Sequence, residues 1–123
     1  MAHARVLLID DDPWMVEQFA VTLNRAGYEA QIASNGIDGM AEIDRWHPDV
    51  VVLDIFMPGP NGIVLLHEMQ SHSDLSRIPV IICTNSATDI PKDTIARYGV
   101  RMVIDKTTME PNDIVAAVRK VLM

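Results

Sequence analysis

The chain has 123 residues, a net charge of −7 from seventeen acidic and ten basic side chains, and a hydrophobic share of 49%, which suits one compact domain and excludes disordered and fibrous classes. The acid excess repels nucleic acid unless a basic patch offsets it, and Arg5, Arg25, Arg45, Lys92, Arg97, Lys106 and Lys120 are scattered. The lone Cys83 excludes an internal disulfide, and no apolar stretch resembles a signal peptide or a bilayer span, so the expectation is one cytoplasmic domain over residues 1–123 with no direct nucleic-acid or membrane partner.

In chain order, residues 4–9 form a short apolar run and predict the first strand. Residues 13–26 predict a helix, with Val16, Phe19, Ala20 and Leu23 on one face, Asp12 as N-cap, Pro13 in the first turn and Gly27 after the end. Residues 29–33 predict the second strand, and residues 36–46 the second helix, stopped before Pro48. The run at 50–53 is a third strand, and 62–71 a third helix with Asn61 as candidate cap. Residues 79–83 predict the fourth strand and about 89–98 a fourth helix, poorly patterned and interrupted at its start by Pro91. A fifth strand at 102–104 precedes a helix over 111–122 with Ile114, Val115, Val118 and Leu122 on one stripe.

Strict alternation of five strands and five helices, with several strands continuously β-branched, predicts a parallel sheet covered by helices on both faces. In such sheets ligands bind outside the carboxyl ends of the strands. There the sequence places Asp10, Asp11 and Asp12 after the first strand, Asp54 after the third, Thr84 after the fourth and Lys106 after the fifth. Crowded carboxylates repel one another unless a cation compensates, and a hard oxygen-liganded ion such as Mg²⁺ suits a site with few carboxylates. One carboxylate could then attack phosphorus, with Lys106, Thr84 and the metal stabilising the phosphoryl oxygens. Each residue also has a plainer reading: Asp12 as a helix cap, Asp54 as the opener of the turn at Met57, Pro58 and Gly59, Thr84 as a strand residue, and Lys106 as a solvated lysine. Capping needs only one acid, and the plain readings do not explain why four strand ends carry polar groups together.

The run Ile9-Asp10-Asp11-Asp12-Pro13, the segment Leu53-Asp54-Ile55-Phe56-Met57-Pro58-Gly59 followed by Asn61-Gly62, and the spacings from Asp54 to Thr84 and Lys106 resemble the receiver domains of two-component response regulators, chemotaxis-regulator-like and single-domain, over the whole chain. The resemblance implies a flavodoxin-like, doubly wound five-stranded parallel sheet of order 2-1-3-4-5 flanked by five helices. It implies Asp54 as phosphoacceptor, Asp11 as a direct and Asp10 as a water-mediated Mg²⁺ ligand, and the Phe56 backbone carbonyl as a further ligand. Thr84 and Lys106 would bind phosphoryl oxygens. The donor would be a phosphohistidine on a sensor histidine kinase or a phosphotransfer protein, and the chain would catalyse only its own phosphorylation and dephosphorylation.

Three positions depart from the family pattern. Val103 stands where an aromatic switch residue is usual, Thr107 replaces the proline after the lysine, and Asn85 replaces a small residue. A trans Lys106–Thr107 peptide is expected, because a non-proline cis bond costs about 2.5–4 kcal/mol. Two other functions compete: a receiver-fold binding module that signals without phosphate, and a haloacid dehalogenase-type phosphohydrolase with its nucleophile at Asp10. The latter lacks an acidic pair after Lys106 and leaves Asp54 idle. The four histidines and Cys83 read as structural, and Trp14 as a partly exposed ring beside the acidic cluster.

Overall fold

A computed structural model describes residues 3–57 and 62–123. Its strands are β1 (Arg5–Ile9), β2 (Glu29–Ala33), β3 (Val50–Leu53), β4 (Val80–Thr84) and β5 (Val100–Asp105). The helices are α1 (Pro13–Arg25), α2 (Gly36–Trp46), α3 (Gly62–Gln70), α4 (Lys92–Arg97) and α5 (Pro111–Leu122). All strand pairs are parallel, in the order β2-β1-β3-β4-β5.

Side-chain alternation divides the interior into two layers. Leu7, Ile9, Val51, Leu53 and Ile82 pack with Ile43 and Trp46 of α2 and Leu65, Leu66 and Met69 of α3. Val6, Leu8, Val52, Ile81 and Cys83 point the other way and pack with Val16, Phe19 and Leu23 of α1 and Ile114 and Val118 of α5. Both faces of the central strands are therefore covered, and β3 and β4 are buried along their whole length; their sequences have no polar alternation for that reason. The edge strands β2 and β5 are only partly buried.

Capping fixes where the helices start. Asp12 Oδ1 accepts the Met15 N–H at 3.2 Å ahead of α1, and Asn35 Oδ1 accepts the Asp38 N–H at 2.8 Å ahead of α2. His47 ends α2 in the left-handed region at φ 51°, just before Pro48. The Asn61 cap expected for α3 lies outside the described residues.

The fourth helix is shorter than the sequence suggested. A single 3₁₀ turn spans Ala87–Asp89, Ile90 is extended, and α4 begins only at Lys92. The cause is Pro91, which disfavours helical geometry in the residue before it and starts the helix anew. The fifth strand is longer than expected, because a register shift between Val80 and Ile81 lets β5 pair with β4 from Val100 to Asp105.

Candidate active site at the carboxyl ends of the strands

The main-chain ladder carries the polar residues to their places. Asp10 N–H donates to Ala33 O at 3.1 Å, Asp54 N–H to Ile9 O at 3.0 Å and Lys106 N–H to Thr84 O at 2.9 Å. Each residue is therefore pinned to a neighbouring strand at the point where its own strand leaves the sheet.

One local device recurs at all four exits. Asp10 Oδ1 accepts the Asp12 N–H at 3.0 Å, Asp54 Oδ1 the Phe56 N–H at 3.0 Å, Thr84 Oγ1 the Ser86 N–H at 3.3 Å and Asp105 Oδ1 the Thr107 N–H at 2.9 Å. A short oxygen-bearing side chain that bonds the amide two residues on turns the chain without needing glycine. At Asp10 and Asp54 it occupies one carboxylate oxygen and leaves the other for chemistry.

Those second oxygens meet at Lys106. Its Nζ contacts Asp10 Oδ2 and lies 3.0 Å from Asp54 Oδ2. Asp10, Asp54 and Lys106 are all buried, whereas Asp11 is exposed at the rim. Burial pushes the Asp10 carboxyl up, and the bonds from Lys106 and Asp12 offset this only in part. Burial alone would pull the Lys106 ammonium down, but its contacts with Asp10 and Asp54 outweigh that and raise it.

Carboxylate oxygens of Asp10, Asp11 and Asp54 lie within 4.8 Å of one another, and this is the one such group of metal-capable side chains among the described residues. Three carboxylates around one ammonium leave negative charge uncompensated. The donors are all hard oxygens, and the Phe56 carbonyl accepts no hydrogen bond among the described residues. This donor set fits Mg²⁺ better than a thiophilic or imidazole-seeking metal.

Of the residues singled out from sequence, Asp10, Asp11, Asp54 and Lys106 come together directly. Thr84 ends the adjacent strand, almost fully buried, with its hydroxyl oxygen accepting from Ser86. Phe56 follows Asp54 with a half-exposed side chain. Asn85 is exposed, and Val103 is half-buried against the α2–α3 layer. No described peptide bond is cis, so Lys106–Thr107 is trans as expected.

Asp105 was not singled out from sequence. Its Oδ1 accepts from both the N–H of Thr107 and, at 2.6 Å, the Thr107 hydroxyl. These two bonds fix the loop where a proline is usual, and the Asp-x-Thr spacing was the available clue.

A family model described as response regulator receiver domain matches residues 6–119. Protein PilH of Pseudomonas aeruginosa is 36% identical over 107 residues, which is 87% of this chain and 88% of PilH. Sensory transduction protein RegX3 of Mycobacterium tuberculosis is 28% identical over 117 residues, and the match covers 95% of this chain but 50% of RegX3. Among solved structures, Vibrio cholerae chemotaxis protein CheY4 superposes with a TM-score of 0.90 at 25% identity, covering 98% of this chain and 100% of that one.

Proposed function

The chain belongs to the response regulator receiver domain family, and from that membership we propose that residues 1–123 act as one receiver domain in which Asp54 accepts a phosphoryl group in a Mg²⁺-dependent reaction. The observation that carries this reading is the buried Lys106 ammonium shared by Asp10 and Asp54, with Asp11 beside them at the strand ends.

The Asp54 oxygen that faces Lys106 attacks phosphorus, an O–P bond forms, and the P–N bond of a donor phosphohistidine breaks. The bond from Phe56 N–H to Asp54 Oδ1 holds the carboxylate so that Oδ2 is the reacting oxygen. Lys106, anchored by its backbone to Thr84, turns its ammonium from the carboxylate to a phosphoryl oxygen. Thr84 accepts through its hydroxyl oxygen and keeps its own proton to donate to a second phosphoryl oxygen. Asp10, Asp11, Asp54 and the Phe56 carbonyl would hold Mg²⁺, which supplies positive charge where the transferring group accumulates negative charge. A sensor histidine kinase or a histidine phosphotransfer protein in the cytoplasm is the donor class, and the output is a protein partner.

The test is intact-mass and peptide mapping after treatment with a small acyl phosphate. One phosphoryl group should appear on Asp54, require Mg²⁺, and be absent from Asp54→Ala. Phosphate on Asp10 with turnover of phosphomonoesters would instead establish the phosphohydrolase reading.

Val103 favours one second reading. An aliphatic side chain packed against the layer beneath α4 has no ring whose rotation could report phosphorylation. If Asp54→Ala and wild-type protein engage the output partner equally under phosphorylating conditions, the domain signals without phosphate.

A further inference from the structure

Outside the acidic pocket, α2 and α3 leave an apolar groove of about 430 Å³ between them. Ile37, Met40, Ala41 and Asp44 form one stripe of α2, and Val64, Leu65, Glu68 and His72 line the facing side. The spacing of the α2 positions is that of a single helical face. Ile37 is 67% exposed and Val64 53% exposed, although the same helices bury Ile43, Trp46, Leu66 and Met69 beneath them. Leu65 forms the floor of the groove as part of that core and Met40 packs against it, whereas Ile37 and Val64 stay exposed at its rim, where closing the core does not require an apolar side chain.

The groove is polarised along its length. Ile37, Met40 and Val64 belong to the earlier turns of the two helices, and Asp44 and Glu68 to the later ones. Positions 37 and 44 are roughly 10 Å apart at 1.5 Å per residue, enough to seat about two turns of a helix. Neither Asp44 nor Glu68 forms an ion pair among the described residues. By contrast, Glu42 on the same helix is neutralised by Arg45 at 2.6 Å.

We propose that this groove docks a basic amphipathic helix of a partner protein, with its apolar residues against Ile37, Met40 and Val64 and a Lys or Arg about one turn further on against Asp44 and Glu68. Charge selects this occupant over the alternatives. A second copy related by a two-fold axis would bring the same acidic rim against itself in a chain already carrying −7. Anionic lipid headgroups and nucleic acid would meet the same repulsion. Helix-in-groove recognition draws affinity from apolar anchors, and the flanking charges set which partner fits. The proposal does not depend on phosphate at Asp54.

The probe is a synthetic amphipathic helical peptide with Leu at i and i+3 and Lys one and two turns further on, followed by fluorescence anisotropy and by amide shifts of the whole chain. Saturable binding with shifts confined to α2 and α3 is expected. Ile37→Ser, an exposed substitution that leaves Asp54 phosphorylation intact, should weaken it by about tenfold. The charge reversal Asp44→Lys with Glu68→Lys should transfer preference to the same peptide carrying Glu in place of Lys. Equal binding to wild-type and Ile37→Ser protein overturns the proposal, as does a reversal that fails to change the preference. Sedimentation showing self-association that Ile37→Ser abolishes overturns it in favour of a second copy.

Discussion

Asp10 and Asp54 are each committed twice, one oxygen holding a turn and the other facing Lys106, so a proton or a metal arriving at either changes more than one contact. Because burial raises the Asp10 carboxyl, its protonation begins at a higher pH than that of an ordinary aspartate. A metal needs the deprotonated form. Mg²⁺ affinity, followed by Trp14 fluorescence or calorimetry, should therefore weaken as pH falls, starting at a higher pH than an ordinary aspartate would set, and Asp10→Asn should flatten that dependence. Asp105 offers a different check, since it touches the loop and not the pocket. Asp105→Ala should slow Asp54 phosphorylation by loosening Lys106 while leaving Mg²⁺ affinity unchanged, and equal losses in both would show a general collapse of the edge. Cys83 lies under the same carboxylates, and burial pushes its thiol up to about 12. The thiolate is the reactive form, so a thiol reagent near neutral pH should modify Cys83 only after denaturant unfolds the chain.

At the scale of elements, two glycines separate helix packing from loop geometry. A Cβ at Gly62 would sit 2.6 Å from the Ile55 Cα, a backbone atom that cannot move aside, and Gly62 N–H also donates to Ile55 O at 3.2 Å. A Cβ at Gly39 would meet only side-chain atoms of the buried Ile9, Cδ1 at 2.7 Å and Cγ1 and Cγ2 at 3.2 Å, which can shift where a backbone atom cannot. Gly62→Ala should cost about 2 kcal/mol, within the range for overpacking. Gly39→Ala should cost less than Gly62→Ala, because the Ile9 side chain can shift and about 1 kcal/mol of helix propensity offsets part of the crowding. Urea unfolding of the two variants checks the contrast. Gly62→Ala should also impair phosphorylation, since α3 begins against the residue that follows Asp54.

For the whole molecule, the buried ammonium links stability to pH. Lys106 has its folded-state pKa raised by Asp10 and Asp54. Its contribution is therefore fully present below the ordinary lysine value of 10.5 and is lost as pH rises through the folded value. Lys106→Met should reduce this alkaline sensitivity. It should also destabilise the metal-free protein at neutral pH by about 3 kcal/mol, as expected when a buried pair loses one partner. Mg²⁺ should restore much of that loss, because a ligand that binds only the folded state stabilises it by mass action. Thermal melts with and without Mg²⁺ across pH make the comparison.

The sequence by itself determined the alternation of strands and helices, the burial of β3 and β4, and the convergence of Asp10, Asp11, Asp54 and Lys106. Periodicity, caps and strand-end position are local properties, and the connection rules of parallel sheets leave few ways to assemble them. The start of α4 at Lys92 and the length of β5 were decided elsewhere. Residues 89–98 carry a weak pattern that competes with Pro91, and the extent of β5 depends on a register shift between strands distant in sequence. Tertiary structure alone decided which carboxylate oxygen faces Lys106 and that α2 and α3 leave an open groove. These depend on distances between groups brought together by folding, and no spacing along the chain encodes them.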